Sequence, residues 1–240
     1  MLKRIRQSRI RYVIPSAITF TSLACGITAV LLAIDGNLTA AGVLILTSYV
    51  LDLFDGEAAR RLDASTQFGL QLDSLADLIS LGMAPALLAF IHLRTGGHVS
   101  MMLVWPLIVF YVLAGAFRLA RFNLLPTKEG QTDSVGLTIS TAGATLTLAV
   151  LTDVANSQEV LHDLFFLPLL SGLALLMVSR ISHPSITWIF SFRWANVVYL
   201  ISLAAGLLWL RLSFFHVWFL FNSSYLGVAL ARAGYQAFEE

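Results

Sequence analysis

The amino-acid sequence predicts an all-α fold, a polytopic transmembrane bundle of about eight helices. Three observations carry that prediction. Of the 240 residues, 58% are hydrophobic and only 12% charged, and the mean hydropathy is +0.80, too apolar for a water-soluble domain of this length to cover with polar surface. The apolar residues fall into repeated runs near the ~20 residues that carry a helix across a bilayer. Short turn-forming stretches, Asp35-Gly36-Asn37, Thr95-Gly96-Gly97 and Asn156-Ser157-Gln158, separate neighbouring runs.

Taken in order, the first run (14–34) follows a basic cluster, Lys3 to Arg11, and is too long for a secretory h-region, so it reads as a retained helix. The second (38–60) starts after Asp35-Gly36-Asn37 and stops at Arg60-Arg61. The third (70–93) emerges from a turn over 61–68 and ends before Thr95-Gly96-Gly97. A fourth (101–122) closes on Arg118 and Arg121, a fifth (135–154) on Asn156-Ser157-Gln158, and a short sixth (164–179) on Arg180. A short seventh (195–210) and an eighth (214–230) complete the set, the latter ending before Arg232. The chain thus divides into a basic segment (1–13), a main bundle (14–185) and additional C-terminal helices (186–240).

Charge distribution orients these spans. With the amino terminus in the cytosol, 13 of the 15 Lys and Arg residues lie inside and only Arg94 and Arg211 outside, so both termini are expected to be cytosolic. The basic start is expected to rest on anionic lipid headgroups. The net charge of +1 gives no general attraction to nucleic acid, and none is expected as a partner. Cys25 stands alone, so neither an internal disulfide nor a cysteine zinc cage forms, and carboxylates are the metal ligands present in number.

The acids are unevenly placed. Five of the fourteen, Asp52, Asp55, Glu57, Asp73 and Asp77, fall inside or at the edge of the second and third spans. An aspartate at the membrane centre costs roughly 2.5–3.5 kcal/mol even on a lenient insertion scale. At about 100° per residue, Asp52, Asp55, Gly56 and Ala59 share one arc, and Gly69, Asp73 and Asp77 form a stripe at i, i+4, i+8. In an antiparallel hairpin Asp52 comes level with Asp77 and Asp55 with Asp73, about 12 Å below Arg60 by helical rise. Four carboxylates at one depth suit hard divalent cations with oxygen ligands. The competing readings are pairing with Arg60 and Arg61, or an ion path in a transporter. Gly56, Ala59 and Gly69 leave a flat-walled slot beside the acids, and Arg60 at its rim is suited to hold a phosphate bidentately. Together these features point to phosphoryl transfer on a nucleotide-activated substrate.

Read as a string, Asp52-x2-Asp55-Gly56-x2-Ala59-Arg60-x8-Gly69-x3-Asp73-x3-Asp77 resembles, at every fixed position, the signature of the CDP-alcohol phosphotransferase family. Further stretches, 73–86, 118–123 and 176–180, resemble the branch that transfers a phosphatidyl group from CDP-diacylglycerol to serine. The chain departs from the common pattern at Pro15-Ser16 ahead of Thr19 and at Gly136-Leu137-Thr138-Ile139-Ser140, where relatives often show Pro-Asn and a proline-containing version. The resemblance implies a cytosol-facing cavity, two divalent cations (Mg²⁺ or Mn²⁺) and a CDP-linked lipid donor. By motif position it implies that Asp52, Asp55, Asp73 and Asp77 are metal ligands and that Asp77 is also the general base. It implies that Gly56, Ala59, Arg60, Gly69 and Thr19 contact the donor nucleotide.

On chemical grounds a serine hydroxyl needs a nearby carboxylate base at neutral pH, and Asp77, at the deep end of its stripe, is placed to serve. Arg118 and Arg121, at i and i+3, are candidates for the serine carboxylate and Asn123 for its ammonium; the plainer reading makes both arginines interfacial anchors. The expected reaction is CDP-diacylglycerol plus L-serine giving phosphatidylserine and CMP, within membrane lipid. A sibling using glycerol phosphate, inositol phosphate or choline, and an ion-coupled transporter, are the alternatives; the inverted repeats expected of a transporter are not found in the sequence. Small residues from Ser202 to Gly206 mark a packing face or a homodimer face.

Overall fold

A computed structural model describes residues 10–64, 66–124, 134–155, 163–180 and 182–183, together with Phe219, Ser223 and Gly227. Residues 1–9 of the basic segment, the seventh span and its small-residue face, and all but three residues of the eighth lie outside the described residues.

Six helices make up the described bundle. They are α1 (Ile10–Ile34), α2 (Leu38–Arg61), α3 (Gln67–Gly96), α4 (Met101–Leu124), α5 (Ile139–Ala155) and α6 (Phe166–Val178). The first four are long and apolar enough to cross a membrane. A two-residue antiparallel bridge, β1 (Ser134–Val135) with β2 (Ser182–His183), ties the entry of α5 to the exit of α6.

The element ends follow local chemistry. Asn37 caps α2 by accepting from the Ala40 amide at 3.2 Å, after a turn in which Gly36 takes a positive φ of 83°. Thr66 caps α3 by accepting from the Gly69 amide at 3.0 Å. That cap starts α3 at Gln67, three residues before the expected 70, and shortens the hairpin turn.

α3 is not uniform. It runs as α-helix over Gln67–Asp77, widens into a π turn at Leu78–Met83 and resumes at Ala84–Gly96. Pro85 has no N–H for the Leu81 carbonyl, and its ring would crowd that oxygen in a regular helix, so the turn before it widens. The sequence reading treated this span as regular and missed the change of phase.

α5 lies at the centre of the bundle. Every residue from Thr141 to Asp153 is buried, as expected of a helix that is apolar or small all round. It passes the π turn closely: a Cβ on Gly143 would come within 3.0 Å of the Leu81 carbonyl carbon. α1 packs most extensively on α2 and also reaches the π turn. There the Ser22 and Ser48 hydroxyls lie 2.6 Å apart, and Ser80 donates to the Ser22 carbonyl at 3.2 Å. α6 packs chiefly on α4.

The outer faces are apolar. Val13, Phe20, Ile27 and Leu31 form an exposed stripe on α1, and Met102, Trp105, Val109, Leu113 and Phe117 form another on α4. In water such stripes would drive association; against hydrocarbon they are the solvated surface. Together with the four spanning helices they make this an integral membrane protein.

Candidate active site at the α2–α3 hairpin

The antiparallel hairpin of α2 and α3 brings the aspartates together. Carboxylate oxygens of Asp52, Asp55 and Asp73 all lie within 4.8 Å of one another. Asp77, buried one turn deeper on α3, lies against Asp52. At this spacing each ionised pair repels by at least about 3.5 kcal/mol at an effective dielectric of ~20. Desolvation adds to that cost. The cluster therefore calls for a cation, and its donors are hard oxygens at mutual distances that one ion can span. The residues present fit a divalent metal.

Two neighbouring helices orient these carboxylates. Thr19 of α1 donates to Asp55 Oδ2 at 2.7 Å, with both side chains buried, and Ser140 of α5 donates to Asp52 Oδ2 at 3.1 Å. Thr19, expected at the donor nucleotide, thus engages a carboxylate in this structure. Ser140 was not singled out as a site residue. It falls in the first turn of α5, in the stretch where the sequence departs from the family pattern, and a hydroxyl opening a small-residue helix was the available signal.

Gly56, Ala59 and Gly69 are each half-buried near the Arg60–Arg61 end of the hairpin. A Cβ on Gly56 would meet only Arg60 Nη1, at 3.4 Å. Arg60 is exposed and pairs with Glu57 at 2.9 Å, and Arg61 holds the other oxygen of Glu57 at 2.6 Å. Glu57 thereby leaves the acidic set, as the pairing reading held for helix-end carboxylates; the four aspartates do not follow it.

The two arginines of α4 part company. Arg118 is buried, its charge acts on Asp77 and Asp52, and its guanidinium carbon lies 5.1 Å from the Phe122 ring centroid. Arg121 reaches the end of α6 instead. Its Nη1 donates to the Val178 carbonyl at 3.0 Å, and its Nη2 to those of Ser179 at 3.1 Å and Met177 at 3.3 Å. A guanidinium on the last carbonyls of a helix satisfies acceptors that the helix leaves open and complements its dipole. Asn123 donates to Ser74 Oγ at 2.9 Å, on the turn between Asp73 and Asp77, while its buried Oδ1 has no hydrogen-bond partner. Ser74 was likewise not anticipated.

Comparison with known proteins matches the sequence to a family. The family model described as CDP-alcohol phosphatidyltransferase matches residues 12–228. A CDP-diacylglycerol–serine O-phosphatidyltransferase of Helicobacter pylori is 32% identical over 178 residues, which are 72% of this chain and 73% of that protein. One of Bacillus subtilis is 33% identical over 172 residues, 71% of this chain and 89% of the relative. An archaetidylserine synthase of Methanothermobacter thermautotrophicus is 34% identical over 176 residues, 72% of this chain and 70% of the relative. With a family model spanning most of the sequence and relatives alike over more than two thirds of both lengths, the chain belongs to the CDP-alcohol phosphatidyltransferase family.

Proposed function

We propose that this protein transfers the phosphatidyl group of CDP-diacylglycerol to the hydroxyl of L-serine, giving phosphatidylserine and CMP. The observation that carries the reading is the convergence of Asp52, Asp55 and Asp73 within 4.8 Å, with Asp77 and the buried Arg118 beside them. Relatives of the same family named for serine transfer supply the acceptor.

In this reading Asp52, Asp55, Asp73 and Asp77 hold two divalent cations, Mg²⁺ or Mn²⁺. When bound, these supply charge neutralisation for the donor pyrophosphate and for departing CMP. Thr19 and Ser140 hold Asp55 and Asp52 in the orientation that ligation requires. Gly56, Ala59 and Gly69 admit the cytidine and Arg60 turns from Glu57 to the diphosphate. Arg118 pairs with the serine carboxylate and so aims the hydroxyl at the lipid-side phosphorus. Asp77 takes the hydroxyl proton as the new O–P bond forms and the bond to CMP breaks, in one in-line displacement. The charge asymmetry of the sequence supports a cytosolic site and cytosolic termini.

The test is CMP release from CDP-diacylglycerol by the detergent-purified protein, with and without serine and Mn²⁺, beside a panel of glycerol phosphate, inositol phosphate and choline. Release that requires both serine and the metal is the expected result. Release driven by another acceptor, or independent of any acceptor, would overturn it.

A further inference from the structure

A second polar cluster lies at the other end of the bundle. His92 is in the last turns of α3, His98 follows in the loop to α4, Asp153 is in the last turn of α5, and Asp163 opens the 3₁₀ turn before α6. Along α3, His92 is nineteen residues beyond Asp73, about 28 Å by helical rise, so the two clusters are separate sites.

Ligand atoms of His92, Asp153 and Asp163 all lie within 4.8 Å of one another. His92 Nε2 is 3.0 Å from Asp153 Oδ2, and His98 Nδ1 is 3.0 Å from Asp163 Oδ2. His92 and Asp153 are buried to within 1% of full enclosure, and the His92 ring packs against Phe166 with centroids 5.3 Å apart. Two features bear on what the cluster can hold. His92 Nδ1 is buried with no hydrogen-bond partner, so the ring makes its polar contact on the Nε2 side, facing Asp153. Both carboxylates also meet a helix C-terminus: Asp153 lies in the last turn of α5, and Asp163, which opens the turn before α6, presses on the last turn of α3, where a Cβ on Gly96 would come within 2.6 Å of its Oδ2. Helix C-termini carry partial negative charge and favour cations.

We propose that His92, Asp153 and Asp163 form a second metal site, selective for a transition-metal dication of the Zn²⁺ class, that clamps the ends of α3 and α5 to the turn before α6, with His98 holding Asp163 in place from the loop. The donor set decides the class: a buried imidazole beside two carboxylates suits borderline ions, whereas Mg²⁺ prefers oxygen and retains water. Ligands at about 2.0–2.2 Å from zinc stand about 3.4 Å apart, so the 3.0 Å His92–Asp153 pair opens by only a few tenths of an ångström while Asp163, within 4.8 Å, closes in on the ion. The three ligands come from three separate elements, away from the aspartate cluster, so the ion is structural.

The test uses the full chain without a histidine tag, purified in detergent, stripped with chelator and held in excess Mg²⁺ to fill the aspartate cluster. Zn²⁺ affinity is measured by competition with a chromophoric chelator, and Co²⁺ reports coordination through its visible absorption. The expected result is one tight Zn²⁺ per chain and an intense tetrahedral Co²⁺ band. His98→Ala, which removes the partner that orients a ligating carboxylate, is expected to weaken Zn²⁺ at least tenfold; His98 is 71% exposed, so the variant should fold. Asp52→Asn is expected to change neither the affinity nor the band. Failure to bind Zn²⁺ tightly in excess Mg²⁺, or equal affinity in the His98→Ala variant, would overturn the assignment.

Discussion

Thr19→Val tests how the aspartate site is held. The substitution nearly preserves volume but removes the hydroxyl that donates to Asp55 Oδ2 at 2.7 Å, between two side chains each 5% exposed. A hydrogen bond to a buried charged group contributes about 1.5–3 kcal/mol, and loss of a partner that orients a metal ligand weakens the metal about 10- to 100-fold. CMP release measured against Mn²⁺ concentration should therefore show half-saturation moving up by that factor, with turnover at saturating Mn²⁺ close to the parent's. Thr19→Ser, which keeps the hydroxyl, should restore most of the affinity. The reasoning fails if the valine variant keeps its Mn²⁺ dependence. A rise confined to the KM for CDP-diacylglycerol would show instead that Thr19 meets the donor directly.

Three further outcomes are expected. Asp77→Asn should abolish turnover while CDP-diacylglycerol and Mn²⁺ still bind, as read by equilibrium binding; near-normal turnover would remove the base role. Arg118→Ala should raise the KM for serine far more than that for the donor, since this guanidinium is buried beside Asp77. Arg121→Ala should act differently, lowering the thermal midpoint in detergent by the loss of about 1–3 kcal/mol while the surviving protein keeps its serine KM. The reason is that its guanidinium engages the carbonyls of Met177, Val178 and Ser179; an Arg121→Ala effect on serine KM alone would refute that assignment.

The division between α4's two arginines shows where reading the chain stops. Arg118 and Arg121 are three residues apart and look equivalent as one face of a helix. Only the position of α6 decides that one caps its carbonyls while the other is enclosed near the acids. Ser140 is similar: its bond to Asp52 spans 88 positions in the chain, and no local pattern announces it. The π turn after Asp77 had a local cause in Pro85, yet helical periodicity assumes a constant phase and passes over it.

Bilayer length and helical repeat act on the chain locally, and so the sequence by itself determined the membrane class, the limits of the described spans to within a few residues, and the acids that a tight antiparallel hairpin brings level. Asp52, Asp55 and Asp73 meet because α2 and α3 are consecutive and joined by a short turn. Tertiary structure alone decided which hydroxyls orient those acids, which arginine faces them, and that His92, Asp153 and Asp163 gather at the opposite end. Those contacts join helices distant in sequence, and their geometry follows from packing around α5, where small residues such as Gly143 set how closely the neighbouring helices approach.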